Sequence, residues 1–162
     1  MSSFNRRFLL AATLALAACG FTPAYGPRGG AAGLQGTIRV ADPTDKYGFD
    51  LVERLEEQLG RPNAARYDLV YQITTEPNGV GVTQDGEITR YNLAGAVDYT
   101  LTDPATTSVL TSGHVESFTS WSATGSTVAG LEAEDDAQER LMHILADQIV
   151  ARLLASAGIW MP

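Results

Sequence analysis

Between Tyr91 and Leu101 apolar and polar side chains alternate. Tyr91, Leu93, Val97, Tyr99 and Leu101 fall on one side of an extended chain, with Arg90, Asn92, Asp98 and Thr100 on the other. A period of two over this length predicts a half-buried strand. Tyr67 to Thr74 does the same, with residues 67, 69, 71 and 73 on one side and polar residues plus Val70 on the other. Glu76-Pro77-Asn78-Gly79 predicts a turn, and the segment on to Gly86 a hairpin tip with little core. Asp103-Pro104 begins a tight connection to a strand from Val109 to Trp121. There the apolar side changes from Val109 and Val115 to Phe118 and back to Trp121, which predicts a bulge near Gly113 or between Glu116 and Phe118. Three such strands joined by short loops predict an antiparallel meander.

Two helices flank it. Phe49, Leu51, Val52, Leu55 and Leu59 recur at helical spacing, with Glu53, Arg54, Glu56 and Glu57 on the other faces, and Gly60 then Pro62 stop the run. The second helix carries a stripe of Ala137, Leu141, Ile144, Leu145, Gln148, Ile149, Arg152 and Leu153. Glu132, Glu134, Asp135 and Asp136 crowd its N-terminal turns, where negative charge suits the helix dipole. Ser126 or Thr127 is the expected cap and Gly158 the expected end. The apolar tail Ile159-Trp160-Met161-Pro162 either tucks back on the domain or stands out as a docking peg. A short strand, Thr37-Ile38-Arg39-Val40, precedes the first helix and closes at Asp42-Pro43. The order β-α-β-β-β-α predicts an α+β two-layer sandwich: a mostly antiparallel four-stranded sheet with two helices on one face, over residues 37–162.

The start of the chain has a different pattern. Arg6 and Arg7 precede an uncharged apolar run from Phe8 to Ala18, of signal-peptide length and too short to span a bilayer. The run ends in Leu16-Ala17-Ala18-Cys19, which resembles a lipobox, and Cys19 is the single cysteine of the chain. That resemblance implies removal of residues 1–18 and acylation of Cys19 on sulfur and on its new amine. Several acyl chains make a durable anchor, at about 0.8 kcal/mol for each buried CH₂. Gly20 after the cysteine, where an Asp would resemble an inner-membrane retention tag, points to the outer membrane. Residues 19–36, with Pro23, Pro27 and six glycines, form the expected lipidated tether.

Charge and chemistry narrow the function. The eleven basic side chains include Arg6 and Arg7, so the part beyond residue 18 carries nine against nineteen acidic ones, a net charge of −10. That opposes a non-specific grip on nucleic acid, whose phosphates need cations. With Cys19 committed to lipid, no disulfide is available to the domain. The two histidines, His114 on a strand and His143 on the last helix, have no second ligand at metal spacing. Ser112 and Ser126 lie in no nucleophile elbow, and Gly79-Val80-Gly81-Val82 fails the phosphate-loop count. No catalytic, cofactor or metal site is expected.

A family resemblance then comes from Cys19-Gly20-Phe21-Thr22-Pro23, Ile88 to Tyr99, Ser117 to Ser126, and the helix segments Ala137-Gln138-Glu139-Arg140-Leu141 and Leu145-Ala146-Asp147-Gln148-Ile149. Together they resemble LptE, the lipopolysaccharide-assembly lipoprotein family, in its alphaproteobacterial form. The resemblance implies a non-enzymatic protein of the cell outer membrane. It would plug the barrel LptD, assist its assembly and meet lipopolysaccharide on its way to the outer leaflet. Family members are thought to touch lipopolysaccharide through basic side chains, and among the few cations here Arg66 and Arg90 are the candidates. Val80 and Val82 of the hairpin tip, and Trp160 of the tail, are the candidates for seating against the barrel. Two rival readings stand beside it: another outer-membrane lipoprotein adaptor, serving barrel assembly or lipid transport, and a periplasmic hydrolase built around His114.

Overall fold

A computed structural model describes residues 33–123 and 126–161. The expected signal peptide, Cys19 and most of the tether lie outside the described residues. The elements are β1 (Ile38–Val40), α1 (Lys46–Leu59), β2 (Tyr67–Val82), β3 (Ile88–Asp103), β4 (Ser108–Ser122) and α2 (Thr127–Trp160). The sheet order is β1-β2-β3-β4. β1 runs parallel to β2, and β2, β3 and β4 form the antiparallel meander. The fold is the expected α+β sandwich with a mixed, mostly antiparallel sheet.

Even-numbered Ile38 and Val40 of β1 and the odd-numbered positions along the regular stretches of β2, β3 and β4 face the helices. Tyr67, Leu69, Leu93, Val97, Tyr99, Leu101, Val115 and Trp121 are buried there against Leu51, Leu55 and Leu59 of α1 and Leu141, Leu145, Ile149 and Leu153 of α2. Each fully buried leucine or isoleucine contributes about 1.5–3 kcal/mol by leaving water, and this one cluster holds the two layers together. Leu34, upstream of β1, is buried in the same cluster. Gly95 lets α2 settle onto β3, since a Cβ there would stand 2.8 Å from Leu141 Cδ2. Asp45 caps α1 by accepting from the Gly48 N–H at 2.7 Å, and Ser126 caps α2 by accepting from Ala129 N–H at 3.3 Å.

Five local expectations are corrected. β2 does not turn at Glu76–Gly79; it pairs with β3 through Pro77↔Leu93 and on to Val82↔Ile88, with a bulge at Val80. The Leu69 carbonyl accepts from Ala41 N–H, so odd residues of β2 direct their backbone polar groups away from β3. Pro77 shares that parity, and its missing N–H removes no bond from the ladder. The hairpin instead turns over Thr83–Glu87, where Gly86 takes φ +84 and donates to the Thr83 carbonyl. The bulge of β4 lies at Leu110, between the pairs Leu101↔Thr111 and Thr102↔Val109, and the pairing is regular from Gly113 to Ser122. Phe118 therefore points away from the core and is 66% exposed. Phe49 also leaves its expected stripe and is exposed. Finally, α2 runs through Gly158 to Trp160. A helical glycine costs about 1 kcal/mol, and the packing of Trp160 described below offsets it.

Candidate partner-binding surface

β2 carries the two ends of the molecule. At its start the entering chain is fastened by Gly36 N–H to Leu59 O (2.7 Å) and by the Arg66 and Tyr67 N–H groups to Thr37 O. Trp160 closes this pole, edge-on to Tyr67 with ring centroids 5.4 Å apart, its Nε1–H donating to Ser156 Oγ at 3.0 Å. Of the two alternatives for the tail, tucking holds for Trp160, while Ile159 is 87% exposed.

The far pole is the hairpin tip, about 45 Å away at 3.3 Å per strand residue. Val80 at the bulge and Val82 are exposed there, as is Ile88 across the hairpin. Ser122 pairs with Arg90 and Ala123 N–H bonds Thr89 O, so α2 starts at the same pole and brings exposed Val128 and Leu131. These two residues were missed by the sequence reading, because it began the helical stripe at Ala137. Five exposed apolar side chains at one end of a small domain form a patch of the kind that marks contact with a partner.

Charges are distributed unevenly. Arg39 is bidentate to Asp68, Arg54 reaches Asp147 and Glu57, Arg61 reaches Glu56, Arg140 reaches Asp136, and Lys46 lies 3.6 Å from Asp50 and Asp135. The hydrogen bonds that Arg39 donates to Asp68 and Arg54 donates to Asp147 are the main reason that these two guanidinium groups hold their protons even more firmly than usual. Among the described residues Arg66, Arg90 and Arg152 have no ion-pair partner, and Arg152 donates to the His114 carbonyl. Arg66 is exposed beside the Tyr67 ring, 5.3 Å from its centroid. Arg90 is exposed on β3 near the tip. The two candidate anion-binding residues thus sit at opposite poles and are not brought together.

The outer face of the sheet is a shallow trough floored by Ala94 and Ala96 and edged by Thr74, Glu76, Glu116 and Phe118. His114 lies on this open face with Nδ1 2.9 Å from Asp98 Oδ1, both side chains more than half exposed. This pair has no cleft around it, unlike the arrangement a hydrolase would need.

The same chain matches the LptE lipopolysaccharide-assembly family profile over residues 35–153, from just before β1 to near the end of α2. The chain belongs to the LptE family. It is a lipopolysaccharide-assembly protein in family and in fold. Among solved structures it is similar to a lipoprotein from Caulobacter crescentus CB15, at 22% identity and TM-score 0.63, covering 75% of this chain and 91% of that one. It is also similar to rare lipoprotein B from Shewanella oneidensis, at 14% identity and TM-score 0.57, covering 74% and 93%. A minor lipoprotein from Acinetobacter baumannii matches at 18% identity and TM-score 0.55, covering 74% and 90%. No curated protein sequence matches. The segments whose sequence resembled LptE, in β3, β4 and α2, contribute Leu93, Val97, Trp121, Leu141, Leu145 and Ile149 to the core.

Proposed function

We propose that this LptE-family domain is a non-catalytic lipoprotein, acylated at Cys19 and held at the outer membrane, that seats in the LptD barrel and assists its assembly for lipopolysaccharide insertion. The observation that carries the reading is the polarity of the domain itself. The anchored end is sealed by Trp160 and Tyr67, and the opposite end exposes Val80, Val82, Ile88, Val128 and Leu131. A domain tethered at the first pole presents the second to whatever encloses it. A wide polar lumen accepts the charged flanks, and the apolar end supplies contact area against the barrel wall. Arg90, unpaired beside that end, is the residue positioned to meet a lipopolysaccharide phosphate there. Arg66, at the anchored pole, serves a separate contact.

Replacing Val80 and Val82 by Asp tests the reading, because both side chains are exposed and the core is untouched. The expected result is a folded lipoprotein whose recovery with LptD from solubilised outer membranes falls at least tenfold. Undiminished recovery would remove the tip from the interface. Depletion of the protein should lower surface lipopolysaccharide and leave LptD misassembled. A general barrel defect with normal lipopolysaccharide would instead favour another adaptor role.

A further inference from the structure

β4 is an edge strand of fifteen residues, and a free edge of that length is a template for any extended chain that meets it. In the regular stretch of the meander its odd residues bond β3, so the even residues His114, Glu116, Phe118 and Ser120 direct their N–H and C=O groups off the sheet. Three of those four carbonyls are occupied by side chains of α2. Arg140 Nη2–H donates to Ser120 O at 3.5 Å, Gln148 Nε2–H donates to Glu116 O at 3.3 Å, and Arg152 Nη1–H donates to His114 O. The spacing explains the pattern. Residues 140, 144, 148 and 152 form one column of the helix, rising about 6 Å per step, and alternate strand residues advance about 6.6 Å in the opposite direction. Ile144 is the rung with no donor, and it falls level with Phe118.

We propose that α2 is a strap that closes the β4 edge, with Arg140, Gln148 and Arg152 acting as a ladder of donors that denies this edge to strand addition. Resting on the proposed function, the ladder keeps an LptE-like sheet from being copied into a barrel whose own strands are still unpaired. The other edge is guarded differently: β1 covers β2 from Tyr67 to Leu69, and beyond it the outward position Pro77 and the bulge at Val80 interrupt the backbone donors. Arg140 and Arg152 are exposed and Gln148 is half-buried, and none of the three belongs to the buried stripe of α2, so their loss leaves that stripe intact.

The test is the full chain carrying Arg140→Ala, Gln148→Ala and Arg152→Ala, purified in detergent beside the wild type. Each freed carbonyl regained between molecules is worth roughly fivefold in association, so self-association should tighten roughly a hundredfold. Hydrogen exchange should show new protection at the even-numbered amides of β4. Adding Glu116→Pro removes an outward N–H without touching the β3 ladder and should restore the monomer. A triple variant as monomeric as the wild type, or association that persists with Glu116→Pro, overturns the proposal. If the triple variant loses its helical spectrum, Gln148→Ala alone, at mid-edge, takes the same measurement, and an unchanged monomer there overturns it too. No barrel is present in this experiment, so its failure would leave the barrel partnership standing.

Discussion

Trp160→Ala separates a structural tail from a docking peg. The ring is half-buried on Tyr67 in an edge-to-face pair, and Nε1 is bonded to Ser156. Truncating a fully buried tryptophan costs about 3–5 kcal/mol. Half burial brings this to about 2 kcal/mol, of which the edge-to-face contact accounts for about 1. For a domain of this size that lowers the melting temperature by about 7 °C. It shifts the urea midpoint by about 1 M with an unchanged slope. Trp121, stacked on Tyr91 at 5.2 Å, remains as the fluorescent reporter in the variant. Trp160→Phe keeps a ring against Tyr67 and loses only the Ser156 bond, so it should recover more than half of the stability. An unchanged urea midpoint in Trp160→Ala, together with reduced recovery of the barrel, would refute the tucked assignment and return this side chain to the partner.

A Cβ at Gly113 would lie 2.6 Å from Tyr99 Oη and 2.8 Å from Cζ. Gly113→Ala should therefore destabilise by about 1–3 kcal/mol, and a double-mutant cycle with Tyr99→Leu should recover at least about 1 kcal/mol of it. Asp45→Ala removes the α1 cap and should cost about 1 kcal/mol in chemical denaturation, with Asp45→Asn close to neutral. Burial raises the Tyr99 hydroxyl above its ordinary 10.0, with Arg152 drawing it partway back. The Tyr71 hydroxyl is raised first by burial and then by Asp45 and Asp42. The folded state thus holds protons that the unfolded chain releases near pH 10, so stability is fully present below that pH and declines above it. Urea midpoints taken across this range should fall for the wild type and fall less for Tyr71→Phe/Tyr99→Phe; equal slopes would contradict the assignment.

What the sequence revealed follows from what burial demands of it. β3 was legible because one of its faces is sealed by α2, so a single step of register would expose Leu93, Val97, Tyr99 and Leu101 together. The last turn of α2 was not, because Gly158 is a local stop signal and the contact that overrides it joins Trp160 to Tyr67, residues far apart in the chain. The second half of β2 was hidden for the opposite reason. Thr74, Glu76 and Asn78 carry no buried alternation, and Pro77, Gly79 and Gly81 are turn formers tolerated only because β1 stops at Val40 and leaves that edge unpaired. Phe118 misled the reading of β4: taken as a change of side it implied a bulge beside it, whereas Val115 and Trp121 share the core face with Phe118 pointing out between them, and the change of side lies at Leu110, before which Val109 pairs with Thr102 and is exposed. Arg66 and Arg90 were singled out by strand position, and their freedom from carboxylates emerges only when the partners of the other cations are brought together by the fold.

The extension of β2 matters most for function, because it sets the distance between the poles. A strand ending at Thr74 would have left Val80 and Val82 on a loose loop close to the domain. Paired with β3 through Val82, they stand at the end of a stiff two-stranded arm that β4 supports as far as Ser122. That arm fixes the apolar tip about 45 Å from the Tyr67 end, at 3.3 Å per residue. Arg66 and Arg90 inherit the same separation, which exceeds the reach of two arginine side chains toward one headgroup. Charge reversal at Arg90 should accordingly change contacts made at the tip without changing those made at the Tyr67 end, and reversal at Arg66 should do the converse. A double variant should show the sum of the two effects, since sites this far apart with no shared partner are energetically independent.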